Sequence, residues 1–332
     1  MKEYGGYFEL ELNDFGDLYQ GARYFQSARA SLRAVFEASQ QSVVYMPYYI
    51  CKSVVYAAKN ARKNVVFYQI NETLMPKIPF SFPESALLLY VNYFGLCQNN
   101  IHLLLNVIPK KQLVIDNSHA LFEGATDALA TIYSPRKFVG VPDGGIVIYR
   151  DNERPLLSTE LDQESDNRMA HLCNRITFGA RYGYSFFNGA RESLDDDLPR
   201  TMSKLTSALL KNIQWDEIRR IRQRNFDVFN KQFSSINAFD WKLINSDVPL
   251  CYPLGISGHK MQEIKIRLAE IDIFVPTYWP ECNKLIEDDD NIVRLLMKNT
   301  LFLPIDQRLE LKDVFFIIDS VKALLAEYSV DF

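Results

Sequence analysis

The stretch 129-LATIYSPRKFVGVPDGGIVIY-149 decides the fold, because it places a lysine between two apolar runs and follows it with a Pro-Asp-Gly-Gly turn. The runs LATIY and GIVIY are rich in β-branched and aromatic residues and are bounded by turn formers, which predicts two short buried strands. The short loop between them holds Lys137 near the end of a strand. Taken alone, Lys137 would be a surface lysine, so the residues that surround it in the sequence must decide its role.

Helical and strand-like patterns alternate from about residue 27 to residue 149. The segment SARASLRAVFEAS begins with Ser27, which suits a helix N-cap, and later strand patterns read VVYMP, VVFYQI, ALLLYVNY and QLVID. Strands separated by helices of about 10 to 13 residues predict a mostly parallel sheet covered on both faces. In such a sheet the ligand lies at the carboxyl ends of the strands, so Tyr93, Asp116 and Ser134 are expected to converge.

The second half of the chain follows another pattern. Residues 151–200 are polar or acidic and are predicted to be loop-like or only weakly helical. A long helical pattern comes next, and the strand candidates VPLCYPLGI, DIFVPTYW and NTLFLPI then alternate with helices. We predict a large domain over residues 1–200 and a smaller α+β domain over residues 201–332.

The composition argues against several classes of protein. The 332 residues are 48% hydrophobic, which is ample for a large core, and the net charge of −4 carries no basic footprint of nucleic-acid binding. The five cysteines are scattered without a CxxC pair, so neither a disulfide framework nor a zinc site is predicted. The amino-terminal segment has no hydrophobic signal core, and no apolar run approaches the roughly 18 residues that span a bilayer. We therefore expect a soluble cytoplasmic protein without a membrane partner.

The order of polar residues around Lys137 has a chemical reason. Asp116 ends the strand LVID, His119 follows it, Ser134 precedes the lysine by three positions, and Gly144–Gly145 come after it. Each of these residues has an ordinary explanation when it is taken alone, as a helix cap, a core histidine or a turn residue. Pyridoxal phosphate, however, needs a lysine amine for its Schiff base and a carboxylate for its pyridine nitrogen. Its phosphate also needs hydrogen-bond donors, often at a helix N-terminus.

The chain resembles the DegT/DnrJ/StrS-type sugar aminotransferases, which are fold-type I pyridoxal-phosphate enzymes. The similarity runs through most of the sequence and is most specific in VIDNSHA and in YSPRKFVGVPDGG, where the glycine pair stands seven and eight positions after the lysine. SARASLRAVF, YMPYYICKSVVYAA and VNYFG resemble further segments of the family. The resemblance implies an α/β fold with a large, mostly parallel sheet covered by helices, a smaller C-terminal α+β domain, and a homodimer.

The resemblance also implies how the cofactor ring would be held. Lys137 would bind the cofactor covalently and then move the α-proton. Asp116 would pair with the pyridine nitrogen, and His119 would lie beside the ring and its hydroxyl. The family places a ring-stacking aromatic just after the proline of the second strand, where two tyrosines follow Pro47 in this chain. Of these, Tyr49 is the favoured candidate.

For the phosphate, the resemblance implies Ser134 together with the backbone N–H groups of Ala28 and Arg29. The family also uses an asparagine of the partner subunit, from a Gly-Tyr-Asn-Tyr-Arg loop. The corresponding place here reads DDDLPRTMSKL, which retains Arg200 without an evident asparagine. Asn188 in SFFNGAR is a possible substitute. No metal is expected.

Three functions are compatible with these features. The leading hypothesis is an aminotransferase that moves an amino group from an amino acid, glutamate, to a nucleotide-linked keto-sugar in surface polysaccharide synthesis. Tyr278 and Trp279 could line the sugar site, although core packing is the ordinary role of such rings. The second hypothesis is a sugar dehydratase, which in this fold has a histidine in place of the lysine. The third is a regulatory or otherwise non-catalytic relative of these enzymes.

Overall fold

Eight strands in the described part of the chain form one sheet in the order β1-β8-β7-β6-β5-β2-β3-β4. They are β1 (Arg23–Phe25), β2 (Val43–Pro47), β3 (Asn64–Ile70), β4 (Pro76–Lys77), β5 (Ala86–Val91), β6 (Leu113–Asn117), β7 (Ala130–Tyr133) and β8 (Gly145–Tyr149). The computed structural model describes residues 4–78, 82–150, 160–243, 247–258, 260–284 and 291–328. The β1·β8, β7·β8 and β3·β4 pairs are antiparallel and the other four are parallel, which confirms the predicted sheet.

The centre of this sheet is covered on both faces. All six residues of β5 are buried, although alternate side chains of a strand point to opposite faces. The helices that follow β1, β2 and β5 are α1 (Ala28–Ala38), α2 (Lys52–Asn60) and α3 (Gln98–Val107). The predicted N-cap of α1 is confirmed, because the Ser27 hydroxyl oxygen accepts a hydrogen bond from the Ala30 N–H at 3.1 Å. The fold-type I prediction from sequence is thus confirmed at the level of architecture.

Residues 160–200 are more helical than we expected. They contain α4 (Ser165–Arg168), α5 (Ala170–Phe178) and α6 (Ala180–Glu192), and α7 (Lys204–Lys211) follows. Helices α5 and α6 pack against each other and are joined at Gly179, whose φ of +85° favours glycine. Many of their large apolar side chains, such as Ile176, Phe178, Tyr182 and Tyr184, are exposed. The stretch 151–159, which was also predicted to be loop-like, lies outside the described residues.

A second, two-stranded antiparallel sheet organises the C-terminal part. Its strands are β9 (Cys251–Gly255) and β10 (Thr300–Pro304), and the helices are α8 (Trp215–Phe233), α9 (Met261–Glu270), α10 (Asn291–Lys298) and α11 (Leu311–Glu327). Helices α8, α9 and α11 share an apolar core with the two strands. The domain boundary near residue 200 stays a prediction. None of the described helices is long and apolar enough to cross a membrane.

The prediction that DIFVPTYW forms a strand is wrong. Residues 273–277 have no regular structure and lead into a bend before a short 3-10 turn, Pro280–Lys284. Pro276 cannot donate to a strand ladder, and Asp272 and Trp279 have positive φ values of 62° and 48°. The segment instead runs along the edge of the cavity described below.

Candidate active site

A cavity of about 420 Å³ lies at the carboxyl ends of β5, β6 and β7, where the parallel-sheet rule predicts a ligand. This volume falls within the roughly 300 to 1,000 Å³ of small-molecule sites. Six of the seven residues predicted from sequence to hold the cofactor line the cavity, namely Lys137, Asp116, His119, Ser134, Ala28 and Arg29. Tyr49 is not among the lining residues.

Lys137 stands on a single 3-10 turn, Pro135–Lys137, that follows directly on β7. Its backbone N–H donates to the Ser134 carbonyl at 3.2 Å, which fixes the turn. The side chain is solvent-accessible where it lines the cavity, yet protein atoms surround it closely enough to disfavour its charged form. This desolvation lowers the pKa of Lys137, and the positive charge of Arg29 lowers it further, while Asp116 partly offsets both. A lowered pKa makes the neutral, nucleophilic amine more available than in an ordinary lysine.

Asp116 is held in a fixed orientation within β6. It is only 5% exposed, and its Oδ1 accepts a hydrogen bond from the Ser118 N–H at 2.9 Å. Its backbone carbonyl accepts from the Asn92 N–H at 3.0 Å, which ties the strand end to the segment after β5. A buried carboxylate that lines a cavity requires a partner with a proton or a positive charge. A protonated ring nitrogen would meet that requirement.

His119 carries a buried hydrogen-bond donor that has no acceptor among the described residues. The ring is 1% exposed, and its Nδ1 accepts from the Phe94 N–H at 3.4 Å. Burial, together with the charge of Lys137, holds the pKa of His119 well below its usual range, so the ring is neutral and its proton is assigned to Nε2. No described residue partners Nε2. Because His119 lines the cavity, its Nε2–H is available to a ligand acceptor.

The segment 93-YFG-95 packs against His119 and helps to position it. Phe94 has a φ of +59°, and Gly95 follows with a φ of +76°. A Cβ at Gly95 would lie 2.8 Å from the His119 carbonyl oxygen, so only glycine allows this close approach. This close approach to His119 explains why the VNYFG motif ends in glycine.

The start of α1 forms the other end of the cavity. The N–H groups of Ala28 and Arg29 belong to the first turn and have no acceptor within the helix, and a helix N-terminus favours an anion. Strand β8 packs closely against the start of α1, since a Cβ at Gly145 would lie 2.2 Å from the carbonyl carbon and oxygen of Ser27. Ser134, which is 8% exposed, also lines the cavity. The second glycine of the Gly144–Gly145 pair thus lets the helix start reach the lysine loop.

The structure does not bring Tyr49 or Tyr93 to the cavity. Tyr49 is fully buried, and its ring lies 5.8 Å from that of Tyr93, which donates its hydroxyl to the Tyr49 carbonyl at 2.8 Å. The expected convergence therefore holds for Asp116 and Ser134 but is wrong for Tyr93. Tyr49 does contact Trp279 edge-on, with ring centroids 4.7 Å apart, and Trp279 lines the cavity.

Sequence reasoning missed several residues of the cavity, which include Cys51, Arg136, Phe187 and Arg191. Arg136 and Cys51 stand beside motifs that we had singled out, so their position could have been noticed. Phe187 and Arg191 belong to α6, which no pattern connects with Lys137. Asn188 and Arg200 do not line the cavity, and Arg200 pairs with Glu160 and Asp196 instead.

Comparisons with known proteins agree with the sequence resemblance at the level of fold. Among the solved structures that match is Spr1654 from Streptococcus pneumoniae in its PLP form (TM-score 0.60, 16% identity, 92% of this chain and 87% of that one). Another is PseC from Helicobacter pylori, an aminotransferase of pseudoaminic acid biosynthesis (0.59, 14%, 92% and 87%). A third is a DegT DnrJ EryC1 StrS aminotransferase from Brucella abortus (0.61, 13%, 91% and 85%). No family model and no curated protein matches the chain.

Proposed function

We propose that this protein is a pyridoxal-phosphate-dependent aminotransferase that moves an amino group from an amino acid, glutamate, to a nucleotide-linked keto-sugar in surface polysaccharide synthesis. One observation carries the proposal. Lys137, Asp116 and the unpartnered Nε2 of His119 belong to residues that line a single cavity at the carboxyl ends of the parallel strands. The fold shared with sugar aminotransferases supports it.

The residues of the cavity fit pyridoxal phosphate. Asp116 would hold the proton of the pyridine nitrogen, and the Nε2–H of His119 would donate to the ring hydroxyl oxygen. The first turn of α1 and the hydroxyl of Ser134 would take the phosphate. When bound, the cofactor supplies the electron sink that lets a substrate lose its α-proton.

Lys137 would act as both the anchoring amine and the acid–base group. Its lowered pKa supports this role, because proton transfer is most efficient when the pKa of the catalytic group is near the working pH. A sugar dehydratase of this fold has histidine at the corresponding position, so the presence of Lys137 favours transamination. A cofactor-free relative would not need an unpartnered buried donor beside a reactive amine, and a relative that binds the cofactor without catalysis would not convert glutamate.

Tyr278 and Trp279 would form an aromatic wall for the acceptor. Both line the cavity, and their rings lie 6.0 Å apart on the segment that borders it. Trp279 has a positive φ of 48°, a strained backbone conformation of the kind that clusters at ligand sites. Aromatic side chains in this position would pack on a sugar ring and exclude water from Lys137.

We also propose that the protein is a homodimer that works in the cytoplasm. Helices α5 and α6 expose a set of large apolar side chains, including Phe178, Tyr182 and Tyr184, and α6 also contributes Phe187 and Arg191 to the cavity. Exposed patches of this kind mark association surfaces. All five cysteines are unpaired, which suits a reducing compartment.

The experiment that tests the function is a half-reaction with each partner. Purified protein loaded with pyridoxal phosphate should convert glutamate to 2-oxoglutarate once per site, and a nucleotide keto-sugar should then restore the original absorbance. Lys137→Ala should abolish the half-reaction and Asp116→Asn should slow it strongly, whereas Lys59→Ala, at an exposed lysine of α2, should be neutral. Loaded protein that releases ammonia or water from the sugar without using glutamate would contradict the proposal.

A further inference from the structure

Three arginines line the cavity, together with the start of α1. They are Arg29 in α1, Arg136 beside Lys137, and Arg191 near the end of α6. Ser27 and Ser134 line the same cavity. The arginine side chains therefore add positive charge to a cavity that already contains a helix N-terminus.

The arginines differ in how their charges are balanced. Arg29 forms an ion pair with Asp195, and the nearby Arg168 is paired with Asp143 and Asp162. Arg136 and Arg191 form no ion pair or side-chain hydrogen bond with any residue that the structure describes. The guanidinium of Arg136 lies 6.0 Å from the ring centroid of Phe187, a neighbour of Arg191 on α6.

The electrostatic surroundings of Arg136 are unfavourable for an isolated cation. Burial is the main cause that lowers its pKa, and the positive charges of Arg29, Arg168 and Arg191 also lower it, while Asp143 acts in the opposite direction. The combined effect is a pKa of about 10. A half-buried guanidinium surrounded by other guanidinium groups is stabilised when an anion joins the cluster. The cavity is the space in which Arg136 and Arg191 can meet one.

We propose that Arg136 and Arg191 bind the phosphate of the cofactor together with the start of α1, so that one chain supplies the contact that a partner-subunit asparagine makes in the DegT/DnrJ/StrS family. This inference rests on the proposed function. Asn188, the sequence candidate for that contact, does not line the cavity, whereas Arg191 follows it by three positions and does. Guanidinium groups suit a phosphate because their N–H donors match its oxygen atoms in pairs.

The position of the arginines favours the phosphate over the carboxylate of an amino-acid donor. Arg136 lies between Ser134 and Lys137 in sequence, and its charge is coupled to that of Arg29 in the first turn of α1. Those two neighbours, Ser134 and the α1 start, are the phosphate donors of the proposed cofactor site. A dianion placed there would interact with the helix start, a hydroxyl and two guanidinium groups at once.

The test compares pyridoxal phosphate with pyridoxal, which lacks the phosphate but can still react with Lys137. Both are titrated, by visible absorbance, into the wild-type protein and into Arg136→Gln, Arg191→Gln and the double variant. Each single variant should weaken pyridoxal phosphate about tenfold or more, from the usual strength of a charge-assisted hydrogen bond, and should leave the Kd of pyridoxal within about twofold. Inorganic phosphate should compete with pyridoxal phosphate in the wild type and less in the double variant. Arg267→Gln, at an exposed pair with Glu270, is the matched control and should change nothing.

The possible failures are distinguishable. Wild-type protein that binds neither compound would contradict the proposed function itself. If the wild type and both single variants preferred pyridoxal phosphate over pyridoxal by the same factor, the inference about the two arginines would be wrong. The proposed function would not be affected. An equal loss of both compounds would also overturn it, because the arginines would then support the site without touching the phosphate. Arg191 has an exposed side chain, so Arg191→Gln should fold. This variant therefore tests the inference even if Arg136→Gln does not fold.

Discussion

The rings of His119 and Trp279 lie nearly parallel, with an interplanar angle of 11° and centroids 5.4 Å apart. This contact joins the end of β6 to a segment of the C-terminal part of the chain, and both residues line the cavity. The two parts of the protein therefore meet at the group proposed to contact the cofactor ring. Trp279 is consequently placed to report on what enters the cavity.

Binding of pyridoxal phosphate should quench the fluorescence of Trp279. Of the three tryptophans, only Trp279 lines the described cavity, while Trp215 and Trp241 pack elsewhere. Trp279→Phe should remove most of the quenching, and Trp241→Phe should retain it. Quenching in Trp279→Phe equal to that of the wild type would show that the cofactor binds away from this wall.

Arg168 should be important for folding stability rather than for chemistry. Its Nη1 lies 3.0 Å from Oδ2 of Asp143 and 2.7 Å from Oδ2 of Asp162, and all three side chains are buried. Arg168→Met would remove the ion-pair partner of two buried carboxylates, which should cost about 3 to 5 kcal/mol in the free energy of unfolding. Denaturant titration measures this loss.

The control for that prediction is Arg181→Met. Arg181 forms an exposed ion pair with Asp272 at 2.9 Å, and such pairs contribute about 0 to 1 kcal/mol. If the two variants lost similar amounts of stability, the buried network around Asp143 would not be a folding element.

Gly145→Ala should weaken both the fold and the binding of phosphate-bearing cofactors. The new methyl group would lie 2.2 Å from the Ser27 backbone, so the start of α1 would have to move. Overpacking of this kind costs about 1 to 3 kcal/mol. Gly140→Ala is the matched control, because its nearest neighbour is a Leu172 side-chain atom at an ordinary 3.6 Å. Equal stability of the two variants would contradict the close approach of β8 and α1.

Glu123 should make the protein less stable as the pH rises. Burial, with a further contribution from Asp247, raises its pKa from 4.5 to about 8. Between these values the folded protein retains a proton that the unfolded chain releases, so stability is greatest below the unfolded pKa and falls as the pH rises towards about 8. The slope from one such group is at most about 1.4 kcal/mol per pH unit.

Glu123→Gln should remove this contribution to the slope. The free energy of unfolding of the variant, measured by denaturant titration at several pH values, should decline less than that of the wild type. Glu84→Gln, at an exposed glutamate, is the control and should follow the wild type. Parallel profiles for wild type and Glu123→Gln would show that the carboxyl group is not held in its neutral form.

Much of the proposed cofactor site was predictable, because the residues that form it belong to short local sequence patterns. Runs of β-branched residues predicted β6 and β7. The rule that ligands lie at strand ends predicted that Asp116 and Ser134 lie together, and Ser27 predicted the start of α1. The two glycines after Lys137 belonged to a recognisable motif, and the structure explains Gly145 by contact with Ser27.

The remaining parts depend on contacts between segments far apart in the sequence. Arg191 lies on α6, which packs against α5, and no local motif connects it with Lys137 or with the start of α1. The segment with Trp279 resembles a strand in composition, but Pro276 prevents that structure. The motif predicted Tyr49 as the ring-stacking residue. The direction of its side chain, however, depends on Tyr93, which packs against it.

The measurement that tests the central claim most directly is the identification of the lysine that carries the cofactor. Protein incubated with pyridoxal phosphate is reduced with borohydride, digested, and analysed by peptide mass spectrometry. The account predicts a pyridoxyl group on Lys137, at about one per chain, that is lost in Lys137→Ala and unchanged in Lys59→Ala. Labelling spread over exposed lysines such as Lys59, with Lys137 unmodified, would contradict it.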